Sequence, residues 1–192
     1  MGDRYHVFKP IISTKAIIKG RSLPKIGAFT LIEDYVLLDT GVGRESSIKL
    51  GTRCKIKQGA VLRTYDGNIE LGDRVSVGEY SIIAGHGNVR IGDCTVIAGH
   101  CSISASNHIF VAEESIRFQG ETAQGITIGK SVWIGAGVLV LDGVTIGDGS
   151  VIGAGSLVSR SLPPNVICFG VPCRVIKQRD LINTLESTQE EI

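Results

Sequence analysis

Short aliphatic residues recur every six positions along most of this chain. They stand at Ile26, Ile32 and Leu38, then Leu50, Ile56 and Leu62, then Leu71, Val77 and Ile83. The series goes on through Ile91, Ile97 and Ile103, then Ile128, Ile134 and Val140, then Ile146, Ile152 and Val158. Nine of these eighteen positions are followed directly by Gly and two more by Ala, far above what 25 glycines in 192 residues would place there. A six-residue period does not fit the 3.6-residue turn of an α-helix. It fits short strands joined by tight turns, three to a coil, with the aliphatic residue pointing inward on each side of a triangular prism. The small residue that follows would let coils pack closely at the corner, and Gly would supply backbone freedom there. Coils stacked at the strand spacing of about 4.8 Å touch only their neighbours, so both ends of the stack need caps.

Breaks in the count mark the organisation. Residues 26–162 read as the β-helix domain. Extra residues fall at Gly41 to Ser47, Thr64 to Asn68 and Gly85 to Asn88, and residues 104–125 leave the prism as a long loop. Residues 1–25 contain Ile12 and Ile18, six apart, and read as an N-terminal cap or an imperfect first coil. Pro163-Pro164 stops the repeats, and residues 163–192 form a C-terminal segment with a short helix expected over 175–190.

Composition excludes several classes. Twenty basic and nineteen acidic residues leave a net charge of +1, with no basic block for nucleic acid. No run approaches the length of a membrane span. The first residues lack the apolar core of a secretory signal, and Gly2 lacks the Ser or Thr of a myristoylation signal, so a cytoplasmic protein is expected. The cysteines (Cys54, Cys94, Cys101, Cys168, Cys173) contain no C-x-x-C pair and read as reduced, mostly buried fillers. No metal site is expected from their spacing.

The chemistry-bearing stretch starts at Ser104-Ala-Ser-Asn-His108, where the chain leaves the prism. Val132-Trp-Ile-Gly-Ala-Gly137, Ile152-Gly-Ala-Gly-Ser156 and Gly170-Val-Pro-Cys-Arg-Val-Ile176 follow in that order. Together these segments resemble the hexapeptide-repeat acetyltransferases, in particular the sugar O-acetyltransferases of the galactoside, maltose and surface-polysaccharide type. The resemblance is close over 91–176 and weaker before. It implies an all-β, left-handed parallel β-helix, an exception to the right-handed crossover rule. It also implies a homotrimer with active sites between subunits, acetyl-CoA as acyl donor in a groove, and direct transfer without an acyl-enzyme.

His108 matches the family's catalytic histidine. A sugar hydroxyl attacking a thioester must lose its proton, and an imidazole with an ordinary pKa of about 6.5 can accept it at neutral pH. The alternative is a loop histidine that only supports a turn. Asn107, Tyr80 and His86 are candidates for the acceptor site, whereas His100, inside a repeat unit, and His6 have weaker claims. For the donor, the backbone N–H at Ala136 matches the family's oxyanion donor, Gly153 and Ala154 its small cofactor-facing residues, and Pro172 the proline near the adenine. Ser159 and Arg160 match positions near the nucleotide end, and Arg160 and Arg174 are of a type that pairs with phosphates. Trp133 reads either as a wall for the pantetheine arm or as a subunit anchor. One departure is plain: Glu79-Tyr80 stands where the galactoside and maltose enzymes carry an acceptor-binding asparagine. Their helical N-terminal acceptor segment is missing too. A glycan, a lipopolysaccharide precursor or a nucleotide sugar fits better than a simple galactoside, and amino-sugar, serine and antibiotic acceptors stay open. Two rivals share the repeat. A γ-class carbonic anhydrase needs three histidines, two of them five apart, and His86, His100 and His108 are fourteen and eight apart. A non-catalytic scaffold would explain the repeats but not the loop histidine.

Overall fold

A computed structural model describes residues 8–43, 45–112 and 114–179. Each six-residue unit forms one short strand and one turn, and the strands stack into three parallel sheets that are the three faces of a prism. The first face runs from Ile11–Ile12 to Val166–Phe169, the second from Ile17–Lys19 to Leu157–Val158, and the third from Lys25–Ile26 to Thr145–Ile146. Register is in phase throughout: Ile32 lies on Ile56, Leu62 on Ile83, and Leu50 on Leu71. Seven coils result, counted by the seven strands of the second face. This is the all-β parallel solenoid that the period predicts, consistent with the left-handed β-helix of the resemblance. The first coil is built by Ile12, Ile18 and Ile26, so the repeat starts before residue 26.

The core is a set of vertical ladders of Ile, Leu and Val, nearly all fully buried. Each unit points two residues inward, not one. Two positions before each aliphatic sits a second buried residue: Thr30, Val36, Ile48, Cys54, Ala60 and so on up the stack. Where it is polar, its proton goes to the coil above, except at Ser156, whose hydroxyl donates to Gly153 in its own coil. Thr30 Oγ1 donates to the Gly51 carbonyl (2.8 Å), Ser81 Oγ to Ala98 (2.9 Å) and Thr95 Oγ1 to Gly129 (2.8 Å). The Cys54 and Cys101 thiols take the same place, and burial pushes both up from the usual thiol range. No buried side-chain N or O atom among the described residues lacks a hydrogen bond.

The three corners differ, and the difference places the site. At the corner from the third face to the first, the residue after the aliphatic is Gly in six successive coils: Gly27, Gly51, Gly72, Gly92, Gly129 and Gly147. The reason is close approach, not corner freedom as the sequence alone suggests. Their φ values are not positive, and a Cβ on Gly51 would stand 2.5 Å from the backbone carbonyl of Gly72. The positive φ falls three residues before the aliphatic instead, on Phe29, Tyr35, Arg53, Tyr80 and His100 among others, at 55° to 60°. The corner from the second face to the third is the opposite case. Ile18 to Ile26, Leu38 to Leu50, Leu62 to Leu71, Ile83 to Ile91 and Ile103 to Ile128 all exceed six residues. Every insertion in the repeat therefore opens on this one edge.

At the top, the short helix expected over 175–190 is not formed where the structure describes it. Arg174–Gln178 is a strand that turns back antiparallel on Val166–Phe169 and caps the first face. The open edge of the first face, next to Arg174-Val-Ile-Lys-Gln178 with its β-branched Val175 and Ile176, lets pairing win over helix. Residues 180–192 lie outside the described residues.

Candidate functional site

The insertions stack into a column of side chains along the second-to-third edge. The long loop leaves the fifth coil after Ser104 and returns at Ile126. Its root is tied by Ala105 N–H to the Ala84 carbonyl (3.0 Å), and its return by Gln124 and Gly125 N–H to the Asp142 carboxylate (2.8 to 3.0 Å). Inside the loop, Asn107–His108 pairs antiparallel with Glu121–Thr122, so His108 stands directly opposite Glu121. The loop tip is held by Gln119, whose side chain bonds Val111 N–H, the Val111 carbonyl and the Glu114 carbonyl.

That pairing makes Glu121 the centre of the arrangement. Its Oε1 is 3.7 Å from His108 Nδ1 and its Oε2 is 3.5 Å from His86 Nδ1, one coil below. The two histidines thus share one carboxylate. Each gap exceeds a good hydrogen bond but is within ion-pair range. The His86 ring stacks on Tyr65, with centroids 3.8 Å apart and planes 19° apart. Below Tyr65, the Arg63 guanidinium is 5.6 Å from its ring and bonds Asp39 (3.0 Å), and Lys19 reaches the same carboxylate (3.7 Å). Tyr65 first, and Asp39 after it, hold the Arg63 guanidinium firmly protonated.

Of the acceptor candidates, His86 and Asn107 come together here with His108. Tyr80 does not. It lies on the first-to-second edge, stacked on His100 at 5.5 Å with its hydroxyl accepting from Gln58 (3.1 Å). Glu121, Tyr65, Arg63 and Asp39 were not singled out by sequence. The one available signal was that Tyr65, His86 and His108 each sit in a break of the same phase of the repeat.

The donor candidates divide between two edges. Ala136, Gly153, Ala154 and Pro172 line the first-to-second edge of the top coils, where the Gly155 N–H bonds the Ala136 carbonyl (2.8 Å). Gly135 and Gly137 donate to Ile152 (2.8 Å) and Gly99 (3.0 Å), whereas exposed Ala136 makes no such coil-to-coil bond through its N–H. A Cβ at Gly137 or Gly155 would meet nothing within 4 Å, so this edge is bare, while lower coils fill the same position with Tyr35, Tyr80 and His100. Trp133 stands on the outer first face, 57% exposed, between Val96 and Val151. Arg174 follows Pro172 and is exposed. Ser159 and Arg160 instead follow Val158, on the same edge as His108. Among the described residues no group of three or more His, Cys, Asp or Glu could hold a metal ion, and no helix is long and apolar enough to cross a membrane.

Comparisons with known proteins agree with this architecture. The family model described as "Bacterial transferase hexapeptide (six repeats)" matches residues 125–160. No curated protein sequence matches the chain. Among solved structures, AntD, an N-acyltransferase from Bacillus cereus in complex with dTDP and 3-hydroxybutyryl-CoA, has 23% identity. It covers 81% of this chain and 83% of its own, with a TM-score of 0.68. A mutant of AntD with dTDP-4-amino-4,6-dideoxyglucose and coenzyme A gives 23% identity over 82% and 84%, with a TM-score of 0.70. A hexapeptide-repeat-containing acetyltransferase from Vibrio cholerae gives 25% identity over 68% and 73%, with a TM-score of 0.60.

Proposed function

We propose that this chain, which carries the hexapeptide of bacterial transferases on a parallel β-solenoid, is an acyltransferase that moves an acetyl group from acetyl-CoA to a sugar hydroxyl. The observation that carries this reading is the Glu121 carboxylate set between His108 and His86 on the edge where every insertion opens. An imidazole backed by a carboxylate is a general base with its ring held in place. His108 Nε2 takes the proton of the acceptor hydroxyl while Glu121, at the other ring nitrogen, stabilises the imidazolium that forms. The hydroxyl oxygen adds to the thioester carbonyl, and the Ala136 N–H receives the oxyanion, an interaction worth up to a few kcal/mol. Collapse breaks the C–S bond, and His108 returns its proton to the leaving sulfur. Acetyl-CoA supplies the activated acyl group. Its fit to this chain rests on the bare edge at Ala136-Gly137 and Ala154-Gly155, a slot for a thin arm against backbone. Asn107, Trp133, Gly153, Pro172 and Arg174 complete acceptor and donor contacts, and Ser159 and Arg160 meet the donor's phosphate end.

The base and the oxyanion donor lie on the two edges that border the second face, so one chain does not bring them together. We infer a homotrimer in which one subunit's His108 edge meets its neighbour's Ala136 edge. The outer second face supports association: Ile17, Leu37, Val61, Ile82, Leu139 and Leu157 form an apolar ladder, broken by Ser102. The corresponding third-face ladder is Lys25, Lys49, Glu70 and Arg90, suited to water. The five free cysteines support a cytoplasmic setting, and the acceptor is a sugar or a surface-polysaccharide precursor.

A second reading has an observation in its favour. The fold matches AntD, whose complex contains an amino sugar linked to dTDP, so an amine acceptor fits the same scaffold. The test is coenzyme A release from acetyl-CoA with a panel of sugars, oligosaccharides, nucleotide sugars and nucleotide amino sugars. Stimulation by hydroxyl acceptors supports O-transfer and stimulation by amines alone supports N-transfer. No donor binding at all would remove the transferase reading.

A further inference from the structure

Below the histidines, the same edge holds a cleft of about 570 Å³ that the transfer chemistry does not use. Lys19 of the first coil, Asp39 and Val42 of the second, and Arg63, Tyr65 and Asp66 of the third line it. We propose that this cleft is a second saccharide subsite, which holds a sugar unit remote from the one acylated, so that the acceptor is an uncharged oligosaccharide segment. The proposal rests on the sugar-acyltransferase reading and names its acceptor class.

Three features select a neutral polyhydroxyl ligand. First, the charges are balanced among the described residues. Lys19 and Arg63 both pair with Asp39, at 3.7 and 3.0 Å, and Asp66 makes two carboxylates against two cations in the cleft lining, which disfavours a phosphate. The carboxylates and the guanidinium instead offer acceptors and fixed donors to hydroxyl groups. Second, Tyr65 is 37% exposed even with His86 stacked on its ring and the Arg63 guanidinium over it, so an aromatic margin is left for the C–H groups of a sugar. Third, the floor is glycine. Gly41 has φ +66° and donates its N–H to Asp39 Oδ1 (3.0 Å), and a Cβ there would collide with the Tyr65 carbonyl. The floor is therefore fixed by backbone, and the Asp39 carboxylate, only 13% exposed, holds Gly41, Arg63 and Lys19 in place around it.

The spacing sets the length. The cleft is centred on the second coil and His108 leaves from the fifth, so three coil spacings, about 14 Å, separate them. One hexose ring does not span that distance, but a short chain of linked sugars does. Along the way it would pass Tyr65 and His86, which join the cleft to the base without a gap.

The test measures binding without any acyl donor, so that it stands apart from catalysis. Neutral mono-, di- and tetrasaccharides of glucose, galactose and N-acetylglucosamine are titrated against the full chain and against Val42→Trp and Asp66→Ala by calorimetry and saturation-transfer NMR. Val42 is exposed, and its replacement fills the cleft without touching the core. The expected result is affinity that rises with length for at least one series and falls tenfold or more in Val42→Trp, with monosaccharide binding unchanged. Binding of no tetrasaccharide, or equal binding by Val42→Trp, overturns the proposal. So does binding of dTDP that Val42→Trp abolishes, which would make the cleft a nucleotide site. Oligosaccharide binding with no acetyl transfer to any acceptor would leave the subsite standing and remove only the transferase reading.

Discussion

Replacing Glu121 by Gln keeps the size of the side chain and removes its charge, and the structure sets what that should cost. At 3.7 Å, a carboxylate and an imidazolium attract by about 1 kcal/mol in a water-like medium and about 4 kcal/mol at an effective dielectric of 20. The His108 side chain is 64% exposed and Glu121 37%, which puts the pair near the water-like end. A loss of about 1 kcal/mol of imidazolium stabilisation corresponds to roughly a five- to tenfold fall in kcat. KM for donor and acceptor should hardly change, because the charge on His108 appears only as the proton moves. Steady-state kinetics of Glu121→Gln with a transferred acceptor measures this. A loss as great as that of His108→Ala would assign proton abstraction to Glu121 itself. An unchanged kcat would remove the carboxylate from the mechanism. His86→Phe should cost less than Glu121→Gln, since His86 shares the carboxylate and stacks on Tyr65 without facing the loop strand.

Other consequences concern the scaffold and can be measured without substrate. Gly51→Ala places a Cβ 2.5 Å from backbone and should destabilise by about 1–3 kcal/mol, seen as a lower Tm in calorimetry; no change would refute close approach as the reason for the glycine column. Leu62→Ala removes a fully buried rung and should cost about 2–5 kcal/mol in a denaturant titration. Only Cys94 is exposed, and burial raises the others, Cys168 to about 11, so a thiol reagent at pH 8 should label one cysteine quickly in the native protein and five after unfolding. Lys49 holds the Glu70 carboxyl below the usual carboxylate range, so that pair stabilises above the ordinary value of about 4.3 and loses its effect as pH falls further. Lys49→Met should therefore narrow the difference in Tm between pH 6 and pH 3.

The sequence carried the prism almost completely, because one side chain per unit, in phase over six coils, suits no other regular structure. It carried less of what fills the unit. Thr30, Ser81 and Thr95 are buried although polar, since each finds a carbonyl in the coil above, and a hydrophobic count passes over them. The role of the glycines was misjudged for a similar reason, because close approach between coils is a long-range contact. The loop placement of His108 could be read from where the chain leaves the prism. Glu121 was not, since only the hairpin of the long loop brings it opposite His108. Asp39 of the second coil meets Arg63 and Tyr65 of the third, and His86 of the fourth, only because their insertions share one corner. At the C-terminal end, Arg174–Gln178 shows the limit of local pattern: an open sheet edge decided its conformation.

The central claim is that His108 is the base of a coenzyme A-dependent acyl transfer. Single-turnover transfer from radiolabelled acetyl-CoA, compared between the native chain and His108→Ala at equal donor occupancy, tests it most directly. The account predicts that the variant keeps its assembly and donor affinity and loses about a hundredfold or more of the transfer rate. Transfer at close to the native rate by His108→Ala would contradict it.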